Sequence, residues 1–142
     1  MPKKVEFDTE GATVTIPDQK RKIGVRKLGL GKLEKMPSIK GGFQPARLVL
    51  NFELFDEDQP DTYLVEFEQP FELKVRYTRA DLERAEHEGA ALALGFWDGK
   101  SWVRFTAEKH GFHLLPDANP AKGGFGVVSI SQWGDPPVGW GK

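Results

Sequence analysis

Leu92-Ala93-Leu94-Gly95-Phe96-Trp97-Asp98-Gly99-Lys100-Ser101-Trp102-Val103-Arg104-Phe105 reads as a β-hairpin, and its two faces decide the fold. Asp98-Gly99 is a preferred two-residue turn, because glycine takes a positive φ at no steric cost. A turn centred there sets Phe96 opposite Ser101, Leu94 opposite Val103 and Leu92 opposite Phe105, so one face is apolar. The other face sets Trp97 opposite Lys100, Gly95 opposite Trp102 and Ala93 opposite Arg104. Trp102 then covers a bare glycine, with Trp97 on the diagonal within reach of a large ring. An aromatic pair on the face turned away from the core needs a reason.

The same period of two runs outward from the hairpin in both directions. Val5 and Phe7, then Ala12 to Ile16, then Ile23 and Val25 mark three short strands, the second stopped by Pro17. Residues 27–42 are rich in Lys and Gly, weakly periodic, and read as loop with at most one short strand. From Pro45 to Phe55, Ala46, Leu48, Leu50, Phe52 and Leu54 point one way, while Arg47, Asn51 and Glu53 point the other. An acidic turn, Asp56 to Asp61, leads to a strand through Tyr63, Val65 and Phe67. Pro70 punctuates it, and Phe71, Leu73, Val75 and Tyr77 alternate after that.

One helix interrupts the pattern near residues 79–88. Thr78 and Asp81 have the spacing of a capping box, and Gly89 is a natural stop. Phe112, Leu114 and Phe125 to Ile130 supply the last strands. These signals predict an all-β, antiparallel, immunoglobulin-like β-sandwich of seven to nine strands with one short helix. A closed barrel is the alternative. The sandwich should occupy residues 1–131, with 132–142 as an extended Trp/Pro tail on or behind it, read as a strap over a sheet edge. The expected core is Val14, Ile16, Leu48, Leu50, Phe52, Leu54, Phe71, Leu73, Val75, Leu92, Leu94, Phe96, Val103 and Phe105.

A chain of 142 residues suits one domain with a proper core. Its net charge of −1 argues against general nucleic-acid binding, which needs a basic excess. The local balance is less even. Lys20, Arg21, Lys22, Arg26, Lys27, Lys32, Lys35 and Lys40 face only Glu34 within their own stretch, whereas residues 53–72 hold eight acids and no base. Two mutually attracting or solvated faces explain this simply; an anion held by the first or a cation by the second is the sharper reading. With no cysteine, disulfides and thiol chemistry are excluded. No apolar run reaches membrane-spanning length, and Met1-Pro2-Lys3-Lys4 leads into a polar strand without the apolar core of a signal peptide. The chain is therefore expected to be cytoplasmic as given, or an excised domain of an exported protein.

Gly11-Ala12-Thr13-Val14-Thr15-Ile16-Pro17, the run Phe67 to Tyr77, Ala80-Asp81-Leu82, Trp97-Asp98-Gly99 and Trp102-Val103 follow one another over residues 11–131. In this order they resemble the bacterial ZU5-like β-sandwich modules. That resemblance implies a non-catalytic interaction module, part of a surface or multi-domain protein, and transfers no catalytic residue.

Chemistry-bearing constellations are few. The outer pair Trp97 and Trp102 is the leading binding candidate, since flat rings stack on sugars or other planar ligands while Lys100 and Arg104 hydrogen-bond the rim. The opposing reading has the tail, through Trp133 or Trp140, or another loop, covering both rings as a satellite cluster. His110 and His113 lie three apart, which on a strand points them to opposite faces, so no metal is expected there. The acidic turn lacks the spacing of a calcium loop. The serines have no nucleophile-elbow context, and Gly123-Gly124-Phe125-Gly126 precedes a strand, not a phosphate-cradling helix. No catalytic residue, metal or cofactor is expected. A non-enzymatic module binding protein or itself is the leading function, and a carbohydrate-binding module using the Trp pair is the alternative, with no nucleic-acid or membrane partner.

Overall fold

The computed structural model describes residues 2–38, 42–64, 66–134 and 137–142. In chain order these form β1 (Lys3–Phe7), β2 (Ala12–Ile16), β3 (Ile23–Lys27), β4 (Pro45–Asp56), β5 (Gln59–Tyr63), β6 (Glu66–Tyr77) and α1 (Arg79–His87). There follow β7 (Ala93–Trp97), β8 (Trp102–Arg104), α2 (Ala107–His110), β9 (His113–Pro116), β10 (Gly124–Gln132) and β11 (Pro137–Gly141). The strands make two antiparallel sheets, β1-β2-β6-β10-β9 and β3-β4-β11-β7-β8, with β5 beside β4. The molecule is an all-β sandwich with more strands than the seven to nine expected.

Alternation puts the core between the sheets. Val14, Leu73 and Val128 line up in register across the first sheet, and Leu50, Val138 and Phe96 across the second. Their inward side chains interlock with Leu94, Phe52, Phe71 and two tryptophans. α1 begins as the sequence predicts. Thr78 accepts from the Asp81 N–H, and the Asp81 carboxylate accepts from the Thr78 N–H. The buried Asp81 also holds Arg47 of β4, fixing α1 against one end of the sandwich.

The largest correction concerns the tail. Residues 137–141 are no strap but a central strand, β11, paired with β4 on one side and β7 on the other. Pro137 is tolerated because it opens the strand. The sequence hid this because glycines at 139 and 141 break the apolar alternation that marks a strand. Trp133 and Trp140 are core residues, 4% and 0% exposed. Trp133 stacks on Phe52 at 4.7 Å and donates its indole N–H to the Phe52 carbonyl at 2.9 Å. Trp140 donates to the Arg76 carbonyl at 2.9 Å.

Smaller differences have local causes. Leu50 faces Val138 and Leu48 faces Gly139, so β4 carries one extra residue, Val49, in a bulge. The bulge sends Val49 and Leu50 to the core and Leu48 to the outer face. Pro70 does not end a strand; it lies where the β6–β10 register is irregular, so no ladder bond is lost there. Of the expected strand at 63–67, Tyr63 belongs to β5 and Phe67 to β6, while Val65 lies outside the described residues. A second helical turn, α2, follows the hairpin, capped by Thr106 and closed by Gly111 at φ 60°. Besides Leu48, Phe96 and Val103 of the expected core are half-buried, because they oppose each other at the β7–β8 margin. The rest of that core is buried.

Candidate functional site

The hairpin turns one residue later than its Asp-Gly pair suggests. Asp98 donates its N–H to the Ser101 carbonyl at 3.0 Å, leaving Gly99 and Lys100 as the two central residues. Gly99 sits at φ 101°, a conformation that side-chain-bearing residues rarely adopt. The Asp98 carboxylate accepts the N–H groups of Ser101 (2.7 Å) and Lys100 (2.8 Å). Those two bonds hold its carboxyl below the usual carboxylate range. The carboxylate thus does what a backbone carbonyl does in an ordinary hairpin turn, and it selects the register.

Every cross-strand partner therefore slides by two residues. Gly95 faces Arg104, Phe96 faces Val103, and Trp97 faces Trp102 directly. A slide of two preserves the faces, so both tryptophans remain on the outer side of the sheet, as read from the sequence. Their exposure is another matter. Trp102 is 8% exposed and donates its indole N–H to the Met36 carbonyl at 2.8 Å. Its ring lies 5.5 Å from that of Phe43, itself 2% exposed. Trp97 stays half-buried, 5.9 Å from Trp102 with the rings tilted by 58°. The two rings do not form one flat platform.

What covers Trp102 is the Lys/Gly-rich segment, not the tail. Its turn at Leu33–Lys35, with Met36 and Phe43, folds back over the second sheet and meets Leu48 there. A trench in the sheet receives it. Gly139 and Gly95 lie side by side on β11 and β7. A methyl group on Gly95 would come within 2.6 Å of the Phe43 ring, and one on Gly139 within 3.4 Å of Trp102. Phe43, not Trp102, lies over Gly95. The sequence reading missed Met36 and Phe43. Their signal was a lone aromatic in a weakly periodic stretch opposite two outward glycines, visible only once β11 is in the sheet. Lys100 and Arg104 remain exposed, with the Arg104 guanidinium 5.7 Å from the Phe43 ring centre.

The remaining candidates are occupied locally. His110 ends α2, its Nδ1 accepting from the Thr106 N–H at 3.2 Å. Burial, then the Lys109 charge, pushes its pKa down. His113 starts β9 with Nδ1 2.8 Å from the Gly111 carbonyl. The acidic turn folds on itself, Asp56 accepting from the Asp58 N–H at 2.9 Å. Gly123 turns at φ 77° against the Tyr77 backbone, leading into β10. The basic and acidic segments meet in part: Arg26 pairs with Glu53 at 2.6 Å. Lys27 pairs instead with Glu10, and Lys40 lies outside the described residues. Among the described residues, no three His, Asp or Glu side chains converge as a metal site would require. Comparison with protein-family models, with curated proteins and with solved structures returns no match for this chain.

Proposed function

We propose that this chain is a non-enzymatic interaction module that binds a protein partner, or a second copy of itself, through the outer face of β7–β8. The observation that carries the reading is Trp97, partly open to solvent on a base that Trp102, Met36 and Phe43 hold in place. Exposed Lys100 and Arg104 flank it. Tryptophan and arginine dominate the energetics of protein interfaces, because they bury much area for little lost freedom. An anchor already held in place loses less entropy on binding. β8 is paired on one side only among the described residues, so its free edge can accept a strand from a partner. The matching surface is an apolar notch rimmed by carboxylates. Kinship with ZU5-like and immunoglobulin-like modules, each one unit of a larger assembly, belongs to the same proposal.

The carbohydrate alternative is weaker, because Trp102 is tucked under Phe43 and Trp97 is left as a single tilted ring. Sedimentation velocity over a wide concentration range, paired with tryptophan-fluorescence titration against soluble polysaccharides, separates the readings. A mass that rises with concentration in the native chain and not in Trp97→Ala supports self-association. A constant mass with no fluorescence response directs the search to a different protein partner. A saturable polysaccharide response that Trp97→Ala abolishes replaces the proposal with sugar binding.

A further inference from the structure

The end of the sandwich away from α1 carries a second feature, separate from the hairpin. There β3 begins beside the end of β4, Ile23 opposite Asp56, and β5 turns into β6. A cleft of about 480 Å³ opens between them, within the range of small-molecule sites. Its apolar wall is Ile23 and Leu64, each 5% exposed, with half-buried Phe67, whose ring stands edge-on to Phe71 at 5.3 Å. Its rim is Lys20 and Arg21, with Glu66 as one acid among them. A smaller hollow of about 200 Å³ shares Gln19, Arg21 and Ile23 and adds Lys3 and Lys22 with two acids, Asp18 and Glu57, so Arg21 borders both.

The charge on this rim is uncommitted. Arg26 is paired with Glu53, Lys27 with Glu10 and Lys3 with Glu57. Among the described residues, Lys20, Arg21 and Lys22 take part in no ion pair. The backbone beneath them is nonetheless fixed. Lys22 accepts from the Glu57 N–H at 2.9 Å, and Ile23 accepts from Lys3 Nζ at 2.9 Å. Free cations held on a firm base above an apolar wall invite an anion with an apolar body.

We infer that this cleft binds a small amphiphilic carboxylate, its body against Ile23, Leu64 and Phe67 and its head between Lys20 and Arg21. The arginine fork matches a carboxylate with two parallel hydrogen bonds. Glu66 repels a polyanion, which favours a single negative charge over a phosphate-rich ligand. The site goes beyond the hairpin reading and does not depend on it.

Sodium decanoate, kept below its micelle concentration, is the probe, with acetate and decyltrimethylammonium as controls. Amide chemical shifts of the full chain report where each binds. The expected result is saturable movement at Gln19 to Ile23, Leu64 and Phe67, with decanoate at least tenfold tighter than either control. Lys20→Glu/Arg21→Glu should weaken it at least tenfold with an unchanged melting temperature, since both side chains are exposed. Should that pair unfold the chain, Arg21→Gln serves, with a weaker loss in the same direction. Equal binding of the cationic detergent, indifference to these substitutions, absence of saturable shifts, or shifts centred on Trp97 each overturn the inference. None of these outcomes bears on the hairpin, whose test reads Trp97.

Discussion

The chain has two pairs of tryptophans, and they meet opposite fates for reasons that lie far from either in sequence. Trp133 and Trp140 flank prolines and glycines in what reads as a tail, yet both are core residues. Trp97 and Trp102 sit in the clearest hairpin of the sequence, yet both lie outside the core on the sheet's outer face. Three of the four indoles donate to a backbone carbonyl, of Phe52, Arg76 or Met36. Among the described residues, Trp97 has no such partner. A buried indole N–H needs an acceptor, so this distribution separates three rings tied into the fold from one that solvent still reaches. Local alternation sets the face a ring occupies; the segment that arrives on that face sets its exposure.

The comparison breaks most visibly at Trp140. It is wholly buried, stands edge-on to Tyr77 at 5.5 Å, and fills the space over Gly126. Trp140→Ala should lower unfolding free energy by about 4 kcal/mol, the usual cost of removing a large core ring. Urea denaturation followed by circular dichroism measures it. A loss under about 1 kcal/mol would mean β11 is not a central strand. Trp102→Ala should cost less, about 3 kcal/mol, because its cluster is a satellite of three buried residues with looser neighbours. Its signature is local. Amide exchange should accelerate at Lys35 and Met36, whose N–H groups close the turn under the ring, and stay unchanged in β6 and β10.

This contrast also marks how far the sequence carries. The strands β1 to β4, the capped helix α1, the facing of the hairpin and most of the core followed from alternation and capping, which are local signals. Three things did not. The register of the hairpin turned on a side chain, Asp98, taking over a backbone acceptor, which shifts partners without changing faces. β11 escaped because its outward positions are glycine, and their smallness makes sense only against what lies over them in the fold, Trp102 and the Arg47 carbonyl at Gly139 and the Gln44 backbone at Gly141. Asn51 and Glu53 lie on the face opposite the apolar row, as read, yet both are buried there: Asn51 donates to the Gly29 carbonyl of the Lys/Gly-rich segment at 3.1 Å, and Glu53 pairs with Arg26 of β3. The first is a local turn contact that alternation does not register; the other two belong to contacts between segments distant in the chain, and the candidate site is built from both kinds.

The buried ion pair at the α1 end sharpens the tail side of the comparison. Arg47 lies opposite Trp140 in the sheet and reaches Asp81 of α1 with two bonds, 3.0 and 2.5 Å. Burial pushes the Asp81 carboxyl up, but Arg47 and the Thr78 N–H together outweigh it and hold the carboxyl below the usual carboxylate range. A depressed folded pKa gives stability that is complete above the unfolded value and lost as pH falls through the folded one. Urea midpoints should therefore drop below about pH 4 in the native chain, and less steeply in Asp81→Asn. Arg47→Ala should cost about 2 kcal/mol at neutral pH, a figure reduced for the partial exposure of the arginine. If acid sensitivity is the same in both chains, packing alone seats α1 on β11.

Trp97 gives the smallest effect on stability and the most informative one on function. Part of its surface is already wet, its N–H has no acceptor among the described residues to lose, and Trp102 beneath it is held independently by Met36 and Phe43. Trp97→Ala should change unfolding free energy by under about 1 kcal/mol, since little apolar area leaves the interior. A ring kept for packing would cost as much as Trp102, and such a result would remove the reason to assign it a partner. A ring kept for binding would leave the fold intact while self-association or partner affinity falls at least tenfold, as truncation of an interface anchor does. The two measurements together decide the role of Trp97, because stability and association respond in opposite proportion under the two readings.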